Sequence, residues 1–145
     1  MFKKIVVAYD ESPEAKRALT AAIDLANQLR AELRLITVRE PLPAYAAYVE
    51  AAFPGSERIF GDERHTFYED LQKEAKAQAL AHGIVAEGVI IEGDEIQGLT
   101  EDLESWKADL LVMGRRHHSS AAAKIRGGTT HEVAERTHCS ILAVM

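Results

Sequence analysis

Five short apolar runs, separated by stretches with helical spacing, constrain the fold of this chain more than any other feature. The runs are Ile5-Val6-Val7-Ala8, Leu33 to Val38, Val89-Ile90-Ile91, Leu110 to Met113 and Ile141 to Val144. Most are apolar at consecutive rather than alternating positions, the pattern of strands covered on both faces in a parallel sheet. Ser12, Pro13 and Glu14 form a helix start: a capping hydroxyl, a proline suited to the first turn and an acid at the positive end of the dipole. Ala15, Ala18, Leu19, Ala22, Leu25, Ala26 and Leu29 then fall on one helical face. A second helix is expected from about His65 to His82, with Phe67, Leu71, Ala75 and Ala79 at steps of four and Gly83 closing it. A third carries Ile96, Leu99, Leu103 and Trp106, and a fourth runs from about Thr129 to Thr137. This order, with right-handed crossovers, predicts the α/β class: an open, doubly wound, five-stranded parallel sheet with helices on both faces, Rossmann-like, taking ligands at the carboxyl ends of its strands.

The size and composition fit one soluble domain over residues 1–145: 47% of the residues are hydrophobic and 28% charged. No apolar run approaches the roughly 20 residues of a bilayer span, and Met1-Phe2-Lys3-Lys4-Ile5 leads into a strand without a signal-peptide core. The expectation is a cytoplasmic protein with no membrane partner. Cys139 is the one cysteine and reads as a small buried apolar residue. A formal charge of −6 lacks the broad basic face that nucleic-acid backbones require, so DNA and RNA are not expected as partners. The connection from Arg39 to Arg64 is long; it carries Pro41, Pro43, Pro54, Gly55, Gly61, Tyr45, Tyr48 and Phe53, and reads as a lid or a partner contact.

Chemistry points to one loop. From Leu110 to His131 there is no acidic residue, although the chain has 23, and the same stretch holds Arg115, Arg116, Lys124 and Arg126. Its glycines Gly114, Gly127 and Gly128 lie where the fourth strand hands over to the last helix. Glycine lets backbone N–H groups approach an anion, and the first N–H groups of a helix carry partial positive charge toward it, which suits a phosphate. The competing reading is a turn with a solvated basic surface.

The segments Ile5 to Glu14, Gly93-Asp94, Asp109 to Gly114 and Gly127 to Val144 together resemble the universal stress protein family, over essentially the whole chain. The resemblance implies a fold like that of the adenine-nucleotide alpha hydrolases and a regulatory module binding ATP or AMP, with Mg2+ only alongside the nucleotide. In nucleotide-binding members the loop reads Gly, two residues, Gly, nine residues, Gly, then Ser or Thr. Gly114 and Gly127 match; His117 stands at the second glycine and Gly128 at the Ser/Thr, with Thr129 and Thr130 near enough to replace the lost hydroxyl. Met113 and Arg116 belong to the same loop. By the same resemblance Asp10 takes the adenine or ribose edge and Ala8, Tyr9 and Val38 line the base pocket. Asp10 has a second reading, as a cap of the first helix. Some family members lack the full motif and do not hold ATP, so binding stays open at this point.

Three functions follow: a regulatory adenine-nucleotide-binding module, a protein of the same fold that reads protein partners instead of ATP, and a slow ATP hydrolase. No Ser/His/Asp arrangement, paired carboxylate or Walker-type Gly-Lys-Ser/Thr is present, so no catalytic residue is assigned. His65, His82, His131 and His138 have no short ligand spacing and His117-His118 is an isolated pair, so no metal site is assigned. The family's strand order puts the last apolar run at a sheet edge with no Pro, Lys or Glu to blunt it, and the expected remedy is a homodimer through Ile141, Leu142, Ala143, Val144 and Met145. The alternative is that the connection from Arg39 to Arg64 covers that edge.

Overall fold

The computed structural model describes residues 1–39, 41–115 and 128–145. Strands β1 (Lys4–Ala8), β2 (Glu32–Arg39), β3 (Glu87–Glu92), β4 (Leu110–Gly114) and β5 (Ser140–Val144) form one sheet in the order β3-β2-β1-β4-β5. Every neighbouring pair is parallel. Among the described residues the helices are α1 (Pro13–Leu29), α2 (Ala46–Ala52), α3 (Ser56–Ala81), α4 (Glu95–Trp106) and α5 (Thr129–Arg136). This is the doubly wound α/β sheet expected from the apolar runs. The chain builds outward from β1 through β2 to β3, then returns to lay β4 on the other side of β1. The order therefore reverses between β1 and β4, which is where such sheets open a crevice at their carboxyl ends.

Alternation within the apolar runs makes two cores. Ile5, Val7, Leu33, Leu35, Leu110 and Val112 pack on one face with Ala15, Ala18, Leu19 and Ala22 of α1 and Leu71, Ala75 and Ala79 of α3. Val6, Ile36, Leu111 and Met113 pack on the other with Leu99 and Leu103 of α4 and Val133 of α5. Each fully buried aliphatic side chain contributes about 1.5–3 kcal/mol. That is why these strands are apolar at consecutive positions. The edge strands β3 and β5 are only partly covered.

Helix α1 begins as the sequence indicates, with Ser12 Oγ accepting the Ala15 N–H at 3.1 Å. Its buried face includes Ile23 and excludes two expected members: Leu25 is only partly buried and Leu29 is exposed. Cys139 is partly exposed rather than buried, at the margin of the second core. The last helix ends at Arg136, with Thr137 as its extended C-cap.

The largest departure from expectation is α3, which starts at Ser56 rather than near His65. Its start is capped from outside: the Glu50 carboxylate accepts the N–H groups of Gly55 and Glu57, each at 2.8 Å, and the Ser56 hydroxyl at 3.0 Å. A cap supplied from the preceding helix leaves no local signature. The connection from Arg39 to Arg64 is thus built largely of α2 and the first turns of α3. The helix phase is as expected at Leu71, Ala75 and Ala79, which are buried; Phe67 departs from it at 48% exposed, and Gln72 joins the buried face. Gly83 does close the helix, at φ 82°, with Ile84 N–H donating to Ala79 O and Gly83 N–H to Leu80 O.

Candidate functional site

A cleft of about 310 Å³ opens over the carboxyl ends of β1, β2 and β4. Ala8, Tyr9, Asp10, Val38, Met113 and Gly114, six residues singled out in the sequence, all line it. The sheet brings them together from three strands, since Ala8 is level with both Ile36 and Met113 in the ladders. Gly128, Thr129 and Thr130 lie at the start of α5 and are not among the lining residues. Arg116, His117 and Gly127 lie outside the described residues.

The turn after β1 is fixed by its own side chains. Asp10 Oδ1 accepts the Ser12 N–H at 2.8 Å, so Asp10 shapes the turn while Ser12 caps α1. The reading of Asp10 as the helix cap is therefore corrected: the cap is Ser12, and Asp10 itself is exposed at the cleft. Tyr9 is 5% exposed and its ring belongs to the first core. Burial, then the Glu74 and Asp10 carboxylates, push its phenol above the usual range, which keeps it neutral. Its main-chain groups are occupied too, the N–H by Ile36 O and the carbonyl by the Thr37 hydroxyl.

Gly114 closes β4 against the first turn of α1. A Cβ there would sit 2.5 Å from the Glu14 carbonyl carbon and 2.7 Å from its oxygen, so the position requires glycine. The following residue, Arg115, donates its N–H to Val144 O at 2.7 Å and holds the loop's start on β5. At the far side, Gly128 is the N-cap of α5, with φ −72° and ψ 166°, and no side chain caps the helix.

The cleft also takes in Glu11, Ser12, Ala15, Ile36, Tyr68, Glu95 and Leu99, which the sequence reading did not assign to it. Ile36 was available from its two-residue spacing to Val38. Glu95 and Leu99, four apart, sit at the start of α4, where Asp94 Oδ1 caps the Gln97 N–H at 2.8 Å. Tyr68 lies one residue beyond the expected stripe member Phe67, on the side marked by buried Gln72. Among the described residues no cluster of three or more His, Cys, Asp or Glu side chains converges as a metal site would require, and no helix is long and apolar enough to cross a membrane. A second cleft, of about 400 Å³, lies at the opposite, amino ends of the strands beside Leu33 and Trp106.

A parallel five-stranded sheet with a cleft at its reversal point defines a Rossmann-like α/β protein. The universal stress protein family model matches residues 1–145, and the chain belongs to that family. A universal stress protein of Thermus aquaticus is 29% identical over 145 residues, covering 99% of each chain. Universal stress protein YxiE of Bacillus subtilis is 25% identical over 147 residues, again covering 99% of both. Among solved structures, a universal stress protein in complex with cAMP superposes with a TM-score of 0.73 at 27% identity, covering 99% of this chain and 97% of that one.

Proposed function

We propose that the cleft over β1, β2 and β4 binds an adenine nucleotide, ATP or AMP, and that the protein is a regulatory nucleotide-binding module of the stress response without fast catalysis. The observation that carries this reading is the convergence of Ala8, Val38, Met113 and Asp10 at the β1/β4 reversal point. Aliphatic side chains there suit the faces of a base, and an exposed carboxylate suits its amino or the ribose hydroxyl groups. The cAMP complex of a 27% identical relative supports the same ligand class. In this reading the phosphates lie toward the loop between Gly114 and Gly128, with Arg116, His117, Gly127 and the N–H groups of Thr129 and Thr130 as their partners. Mg2+ enters only with the nucleotide. Residues 1–145 act as one domain, in the cytoplasm, paired as a homodimer through the free edge of β5.

Calorimetric titration with ATP, AMP and cAMP tests the binding, and phosphate release with Mg2+ tests for turnover. Saturable binding with negligible turnover is expected. A flat titration with all three nucleotides rejects the reading. One observation favours the second reading, a protein-interaction module without ATP: Gly128 offers no hydroxyl at the helix start. A flat titration would leave that reading standing.

A further inference from the structure

We propose that Tyr68 is a specificity-determining residue of this cleft, its ring forming the wall against which the flat base of a bound nucleotide packs. This rests on the nucleotide-binding reading above and adds a residue to it. The other apolar side chains lining the cleft, Ala8, Ala15, Ile36, Val38, Leu99 and Met113, are all aliphatic and offer no π surface. Tyr9 has a ring but keeps it in the core. Tyr68 is thus the aromatic face available among the described lining residues. It is half-buried, unlike its neighbours in sequence Phe67 and Glu69, which are exposed.

Its position is set by a buried polar chain one helical turn away. Gln72 is 4% exposed, and its Nε2 donates to Thr37 Oγ1 at 2.7 Å. The Thr37 hydroxyl in turn donates to Tyr9 O at 2.9 Å, at the end of β1. These bonds pin α3 to β1 and β2 just below the cleft. Residues four apart share a helix face, so Tyr68 stands directly above Gln72, one turn nearer the carboxyl ends of the strands. Phe67 braces the ring edge-on, with centroids 5.3 Å apart and planes at 79°. A ring held this way loses little freedom when a base packs on it, which favours a planar ligand over a sugar or polyphosphate alone.

Titrations of the parent, Tyr68→Ala, Tyr68→Leu and Tyr68→Phe with ATP and with adenosine test this. Loss of a base–aromatic stack should weaken both ligands about tenfold in Tyr68→Ala. Tyr68→Leu, which keeps bulk without a π face, should lose most of that affinity, and Tyr68→Phe should stay within about twofold of the parent. Tyr48→Ala, on exposed α2 and outside the cleft, should bind as the parent does. Parental affinity for both ligands in Tyr68→Ala would overturn the role of Tyr68 and leave the nucleotide site standing. Weakened ATP with unchanged adenosine would overturn it as well, by moving the contact to the phosphates. A parent that binds neither ligand would overturn both the residue and the site.

Discussion

Gly114 and the backbone of Glu14 are in contact so close that no side chain fits between them: a Cβ on Gly114 would lie 2.5 Å from the Glu14 carbonyl carbon. The first glycine of the loop therefore serves the packing of β4 on α1 before it serves any ligand. Since the obstacle is helix backbone and not a flexible tip, Gly114→Ala must push β4 and α1 apart. The expected cost is about 1–3 kcal/mol, read as a lowered urea midpoint. Nucleotide affinity should fall with it, because the same shift opens the cleft. An unchanged midpoint would show that the contact relaxes freely.

Gly128 is the opposite case. Its φ of −72° is open to any residue, and nothing lies within 4 Å of an added Cβ. Gly128→Ser should therefore fit without strain and supply the missing N-cap of α5, a gain of a few tenths of a kcal/mol in stability. If its hydroxyl also reaches a phosphate, ATP should bind about threefold to tenfold tighter, the range of one net hydrogen bond. Calorimetry on parent and variant measures it; equal affinity would separate the capping role from the ligand role.

Two carboxylates contribute to stability on the acid side. The N–H groups of Glu57 and Gly55 and the Ser56 hydroxyl hold the Glu50 carboxyl below its usual range. The N–H groups of Lys3 and Lys4, bonded at 2.8 and 2.9 Å, do the same for Asp109 at the other end of the sheet. A depressed folded-state pKa contributes stability that is fully present above the unfolded value, about 4.3 for Glu and 3.9 for Asp, and is lost as pH falls through the folded value. Hydrogen exchange below about pH 4 should therefore open the start of α3 before the central strands. In Glu50→Gln the same amides should exchange faster at neutral pH, and the acid dependence should flatten. Slow exchange at residues 55–58 in that variant would show that the cap is dispensable.

Where the sequence failed, the cause was a long-range contact. The strands were legible because β1, β2 and β4 are buried on both faces, and the start of α1 because Ser12 caps it from within its own turn. The start of α3 was not, because its cap comes from Glu50 across a turn. Steps of four found the buried Leu71, Ala75 and Ala79 but extended the stripe one turn too far, to exposed Phe67, and missed Tyr68, whose side of the helix is marked by Gln72 reaching Thr37. A buried glutamine reads as surface until the hydroxyl it meets is known. Of the six cleft residues, Met113 and Gly114 were legible as the carboxyl end of the fourth apolar run, while Ala8, Tyr9, Asp10 and Val38 were implied by the family resemblance. The far wall belongs to α3 and α4, whose approach depends on tertiary packing.

The edge of β5 gives the last prediction. Ser140 donates its N–H to Asp109 O, and Val144 O accepts from Arg115, so even-numbered residues of β5 turn their main-chain groups toward β4. Ile141 and Ala143 then turn theirs outward, away from the sheet. Met145 O is already taken by Arg17 Nε at 2.7 Å. Leu142 is 38% exposed and Met145 more so, leaving an apolar strip beside an edge that no other strand pairs among the described residues. A two-fold axis there would pair the outward groups of Ile141 and Ala143 with their mates and cover that strip in one step. Light scattering at micromolar concentration is expected to give the mass of a dimer. Ala143→Pro removes an outward donor and leaves the β4 ladder intact, so it should shift the population toward monomer with little loss of fold, as proline is tolerated at sheet edges. A monomeric parent, or a dimer indifferent to Ala143→Pro, would show that the chains do not meet along β5.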